Sequence, residues 1–151
     1  MKTVLLVEDN EDDILLTKLA CERSGIPHRL DIVTDGYAAV DYLTRTGIYA
    51  DCTHHFLPDL IFLDVKLPKR SGMEVLEWIR GRPKLANIPI IMLTNSSDPA
   101  DIHQAYKLGV TSYLLKTADA EEFKNAVRLI LKYWILLNMA QTSDLQYSFA
   151  N

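Results

Sequence analysis

Cysteine is scarce: the 151 residues contain two, Cys21 and Cys52, too few for a disulfide framework. Basic charge is not in excess. Sixteen Lys and Arg stand against twenty Asp and Glu, a formal net charge of −4, which argues against a nucleic-acid partner held by a basic surface. No apolar run approaches the roughly 20 residues of a membrane span. The opening MKTVLLVEDNEDD turns acidic at Glu8, unlike a secretion signal. Internal repeats and low-complexity segments are also missing. What is present is 48% apolar and 24% charged residues, the balance of an ordinary globular chain. A chain of this length buries a core without staples. The expectation is one cytoplasmic domain with neither membrane nor nucleic acid as partner.

Short apolar runs recur along the chain: TVLLV (3–7), LIFLD (60–64), IPIIMLT (88–94) and TSYLLK (111–116). Continuous rather than alternating apolar runs suit strands covered on both faces of a parallel sheet. RLDIV (29–33) alternates and reads as an edge strand. Helix patterns lie between the runs. The first starts after Asn10 and stops at Gly25, the second runs from Asp35 to near Gly47, and the third from the capping-box spacing Ser71-Gly-Met-Glu74 to Gly81. The fourth runs from Asp98-Pro99 to Gly109, and the fifth from near Asp119 to about Met139. Polar caps satisfy orphan N–H groups, and glycine takes the left-handed turn that ends a helix. Five βα units predict an α/β, flavodoxin-like, doubly wound (βα)5 fold. Its five-stranded parallel sheet has order 2-1-3-4-5, which places the polar second strand at an edge.

Ligands of such sheets sit at the carboxyl ends of the strands, beside the switch in strand order. There the first strand delivers Glu8 and Asp9, the third Asp64, the fourth Thr94 and the fifth Lys116. Three neighbouring carboxylates repel one another unless a cation intervenes. Oxygen ligands without Cys or His select Mg²⁺ or a relative such as Mn²⁺. Magnesium beside a lysine and a hydroxyl suits phosphoryl transfer, which needs mainly positioning and charge neutralisation. Asp64, the central strand's only terminal carboxylate, is the best candidate for acceptor.

The segments VLLVEDN, LIFLDVKLPKRSG, IIMLTNSS and GVTSYLLK, in this order, resemble the receiver domain of two-component response regulators, over residues 1 to about 138. The resemblance implies Asp64 as phosphoacceptor with Lys116 and Thr94 assisting, Asp9 as direct metal ligand and Glu8 as a ligand through water. It also implies the backbone carbonyl of Lys66 as a further ligand, and Thr94 with Tyr113 as a switch pair. The phosphoryl donor it implies is a sensor histidine kinase, and the output a changed surface over helix 4, strand 5 and helix 5. The chain departs from the family in having Thr117 where proline usually follows the lysine. Lys66 and Ser96 occupy the positions that tune phosphoryl lifetime, and neither offers an evident hold on a hydrolytic water, so slow self-dephosphorylation is expected.

A connection of about a dozen residues from Thr46 to Pro58 and an overlong fifth helix resemble the stand-alone regulators paired with phytochromes, which commonly dimerise. The receiver is expected over 1–139, with a polar tail over 140–151. On helix 5, Phe123, Val127, Ile130, Trp134 and Leu137 form the expected core stripe. Leu129, Tyr133 and Leu136 form a second stripe, read as a dimer interface unless the tail's Leu145, Tyr147 and Phe149 cover it. Cys21 reads as core; Cys52, His54 and His55 fit no zinc spacing. Three other functions weigh less. A flavin carrier needs free N–H groups where this chain has E-D-N-E-D-D. A dehalogenase-type phosphotransferase needs an Asp at Lys66. A phosphorylation-independent pseudo-receiver is not expected to keep the whole acidic pocket.

Overall fold

A computed structural model describes residues 1–50, 57–116 and 119–138. The strands β1 (Thr3–Val7), β2 (Arg29–Val33), β3 (Leu60–Leu63), β4 (Ile90–Thr94) and β5 (Ser112–Leu115) pair in parallel in the order β2-β1-β3-β4-β5. The expected order is thus observed, with RLDIV at one edge. The helices α1 (Glu11–Arg23), α2 (Gly36–Thr44), α3 (Gly72–Arg80), α4 (Pro99–Lys107) and α5 (Ala120–Leu131) alternate with them. Alternate residues of each central strand face opposite sides. Leu5, Val7, Ile61, Leu63, Ile90 and Met92 pack in one core cluster with α2, α3 and α4. Val4, Leu6, Leu60, Phe62, Ile91 and Leu93 pack in the other with α1 and α5. The runs are continuous because both faces are covered.

Side chains set the helix starts. Asn10, Asp35, Ser71, Asp98 and Asp119 each cap a helix by accepting a backbone N–H of its first turn. The stops follow the glycine signals less closely. Arg45 (φ 58°), not Gly47, takes the left-handed position that ends α2, where its N–H reaches the carbonyls of Asp41 and Tyr42. Gly81 ends α3 in a right-handed conformation (φ −82°). At the amino edge of the sheet Arg80 fastens α3 to the segments that lead into β4 and β5. Its guanidinium donates to the carbonyls of Gly109 (2.7 Å), Ala86 (3.0 Å) and Ile88 (2.7 Å) and to the Thr111 hydroxyl (3.3 Å).

The C-terminal helix departs from its expected stripe. The buried line is Phe123, Val127, Leu131 and Ile135, while Ile130 and Trp134 are only partly buried against the same cluster and Leu137 is 59% exposed. Four-residue steps overshoot the 3.6-residue turn of an α-helix. Here α5 continues as a π-helical segment, Lys132–Leu137, whose wider turn winds the line back toward the sheet. Cys21 is buried in the core, as expected. Cys52, His54, His55, the Lys116–Thr117 peptide and the tail lie outside the described residues.

The start of α3 presses against the end of β3. A Cβ on Gly72 would stand 1.9 Å from the Asp64 carbonyl oxygen, whereas one on Gly81 meets nothing closer than 3.6 Å. Gly72→Ala is therefore expected to lower the unfolding free energy in urea by about 3 kcal/mol, and Gly81→Ala by less than about 0.5 kcal/mol.

Candidate functional site: an acidic pocket at the carboxyl edge of the sheet

Parallel pairing carries every strand's carboxyl end to one edge. Backbone bonds align those ends: Glu8 N donates to Val33 O (3.0 Å), Asp64 N to Val7 O (3.1 Å) and Lys116 N to Thr94 O (2.8 Å). One carboxylate oxygen from each of Glu8, Asp9 and Asp64 falls within a cluster in which all lie within 4.8 Å of one another. Glu8 is 1% exposed, Asp64 9%, Thr94 1% and Lys116 8%. The five side chains expected at the strand ends thus occupy that edge. Lys66 follows Asp64 in the β3–α3 loop with its side chain exposed.

Glu8 is anchored by its own turn, its Oε2 accepting from the N–H groups of Asp9 (3.1 Å) and Asn10 (3.3 Å). Its Oε1 accepts from the Lys116 ammonium. Burial pushes the Glu8 carboxyl up to about 7, against the pull of its bond to Lys116, and the Asp64 charge adds to the rise. Burial alone would depress Lys116. Its bond to Glu8, the charge of Asp64 and its bond to Asp13 prevail, and its pKa is raised.

Asp13 was not legible as a partner of Lys116 from the sequence, where it looks like one more acid on a helix N-terminus. The structure puts its Oδ2 3.0 Å from Lys116 Nζ, while Asp64 Oδ2 is 3.5 Å away. The only signal was spacing: Asp13 lies four residues after Asp9, one turn into α1. Thr94 and Tyr113 meet through Ser96. Thr94 Oγ1 accepts from Ser96 N (3.2 Å), and the Tyr113 hydroxyl donates to Ser96 O (2.8 Å). Tyr113 is therefore already turned toward the end of β4. The Ser96 hydroxyl is itself engaged, 2.6 Å from Asp101 Oδ2.

The donor set fits a hard divalent cation: three carboxylates, oxygen only, with Glu8 and Asp64 buried, Asp9 exposed and the Lys116 ammonium beside them. Residues 4–128 match the response regulator receiver domain. The chain belongs to that family. Response regulator Rcp1 of Synechocystis sp. (strain ATCC 27184 / PCC 6803 / Kazusa) is 37% identical over 134 residues, 89% of each chain. The Mn²⁺-bound crystal structure of Rcp1 superposes with a TM-score of 0.84 at 35% identity, covering 94% of this chain and 100% of that one. The phosphorylated cyanobacterial phytochrome response regulator RcpA superposes with a TM-score of 0.85 at 38% identity, covering 93% and 99%. The fold class read from the five βα units and the receiver assignment read from the four motifs are thus correct. Receiver domains are signalling proteins phosphorylated by sensor histidine kinases. Among the described residues no helix is long and apolar enough to cross a membrane.

The Glu8 shift has a sign that can be measured in EDTA. The folded value near 7 lies above the ordinary 4.5, so between these pH values the native state binds more protons than the unfolded one. Stability contributed by protonated Glu8 is then lost as pH rises through this window. Lys116 titrates far above it. Wild type minus Glu8→Gln in unfolding free energy is expected to fall from pH 4.5 to pH 7; a flat difference would contradict the assignment.

Proposed function

We propose that this chain is a stand-alone phosphoacceptor of a two-component relay, charged on Asp64 by a histidine kinase of the phytochrome type. The observation that carries the acceptor chemistry is the meeting of Glu8, Asp9 and Asp64 with the Lys116 ammonium at one strand edge. The kinase class is supported by near full-length likeness to Rcp1 and to the phytochrome regulator RcpA.

In this reading Asp64 attacks the phosphorus of a phosphohistidine. An oxygen–phosphorus bond forms, the phosphorus–nitrogen bond breaks, and the imidazole leaves with its electron pair. A divalent cation, Mg²⁺ or Mn²⁺, would be held by Asp9, Asp64, the Lys66 carbonyl and Glu8, and would supply charge neutralisation for the phosphoryl oxygens. Lys116 neutralises the opposite side, and Thr94 donates a hydrogen bond to the product. Drawing Thr94 inward strains its link through Ser96 to Tyr113, which couples Asp64 to the surface of α4, β5 and α5. With the Ser96 hydroxyl held by Asp101, no side chain at that position is free to orient a hydrolytic water, which favours a long-lived phosphoryl group.

The receiver unit is proposed to run over 1–139. Leu129, Tyr133 and Leu136, exposed at 58%, 53% and 60%, form an apolar face on the C-terminal helix, and we assign it to a homodimer.

Intact mass after incubation with acetyl phosphate and Mg²⁺ is expected to show one added phosphoryl group, absent in Asp64→Asn and in EDTA. A wild type that gains none ends the phosphoacceptor reading; a phosphoryl group lost within seconds ends the slow-hydrolysis expectation. Sedimentation of Tyr133→Ala/Leu136→Ala is expected to show monomer where wild type associates. An unchanged association state removes the α5 interface.

A further inference from the structure

The Lys116 ammonium has three hydrogens and three carboxylate neighbours: Glu8, Asp13 at 3.0 Å and Asp64 at 3.5 Å. The phosphoacceptor chemistry gives work to Glu8 and Asp64 and none to Asp13. Asp13 also stands outside the Glu8–Asp9–Asp64 cluster, on the first turn of α1, so it draws the ammonium in another direction. At 3.5 Å the ammonium is at the limit of hydrogen bonding to Asp64, so tightening its hold on that side means advancing toward it.

Advancing opens one contact. The Glu8 side chain is 1% exposed, and parting it from Lys116 would strand a buried carboxylate. The Asp13 side chain is 23% exposed, so water can take over its half of the bond at small cost.

We propose that Asp13 is a positioning residue that holds Lys116 back toward α1 in the unphosphorylated protein and is the contact Lys116 gives up when Asp64 carries a phosphoryl group. The proposal rests on the phosphoacceptor reading. A contact made in one state only biases the equilibrium against the other, so Asp13 resists phosphorylation.

The test compares Asp13→Ala, Asp13→Asn and, as a control for charge alone, Asp12→Ala, an exposed neighbour that makes no contact with Lys116. Beryllofluoride, which mimics a phosphoryl group on a carboxylate, is titrated at saturating Mg²⁺ and followed by fluorine NMR. Asp13→Ala is expected to bind it about fivefold more tightly than wild type, the scale of one part-exposed ion pair. Asp13→Asn, which keeps an acceptor oxygen, falls between, and Asp12→Ala stays within about twofold. In a second arm without beryllofluoride, acylation of Lys116 by a succinimidyl ester is read on its peptide by mass. It is expected to speed up in Asp13→Ala and not in Asp12→Ala. A merely structural Asp13 would speed the labelling and weaken the adduct together. Equal adduct affinity in all variants, or unchanged labelling in Asp13→Ala, overturns the proposal alone. An adduct on no variant, wild type included, overturns the phosphoacceptor reading and this proposal with it.

Discussion

The structure turns on the concentration of negative charge against one buried ammonium. Glu8, Asp13 and Asp64 converge on Lys116 from three different elements, at an edge where Glu8 and the ammonium itself are nearly closed off from water. Charges in such a place are costly unless each has a partner. Four acids, counting Asp9, and one lysine leave an excess of negative charge at this edge. That excess is what makes the edge a receptor for a small, hard cation and, through it, for phosphate oxygens. The pull of Lys116 and the push of burial on Glu8 are two expressions of the same imbalance.

The fold serves this imbalance by holding it still. Parallel pairing sets Val7 beside Leu63, Leu63 beside Met92 and Thr94 beside Leu115, so Glu8, Asp64, Thr94 and Lys116 at the strand ends become neighbours across long stretches of sequence. The backbone bonds from Asp64 to Val7 and from Lys116 to Thr94 extend the sheet's order into the pocket. Gly72 lets α3 begin in contact with the Asp64 carbonyl, which leaves the Asp64 backbone little room to wander. Rigid strands under a cluster of like charges keep the carboxylates in place despite their repulsion.

Much of this was readable from residues alone. Continuous apolar runs told of a sheet covered twice, and RLDIV told of an edge. The strand ends then named Glu8, Asp9, Asp64, Thr94 and Lys116 by position. What escaped depended on geometry that spacing does not encode. Arg45 adopts a left-handed conformation because two carbonyls receive its N–H, which overrode the glycine two residues on. The stripe on α5 ended on Ile135 rather than Leu137 because the helix widens at Lys132. Asp13 looked like a helix-start acid because its partner lies 103 residues away. Tyr113 was legible as an aromatic near the lysine, but not its bond to Ser96.

The opposite edge of the sheet is fastened in a different currency. Arg80 joins α3 to the approaches of β4 and β5 through three carbonyls and one hydroxyl, with no carboxylate among its partners in the described residues. Burial lowers the guanidinium's pKa, yet arginine starts so high that it stays charged wherever proteins work. Acid, chelators and added phosphate all act on carboxylates or their cations, so none has a handle on this clasp. The molecule thus has one end that answers to its chemical surroundings and another that is deaf to them, and any rearrangement begun at the first is braced against the second.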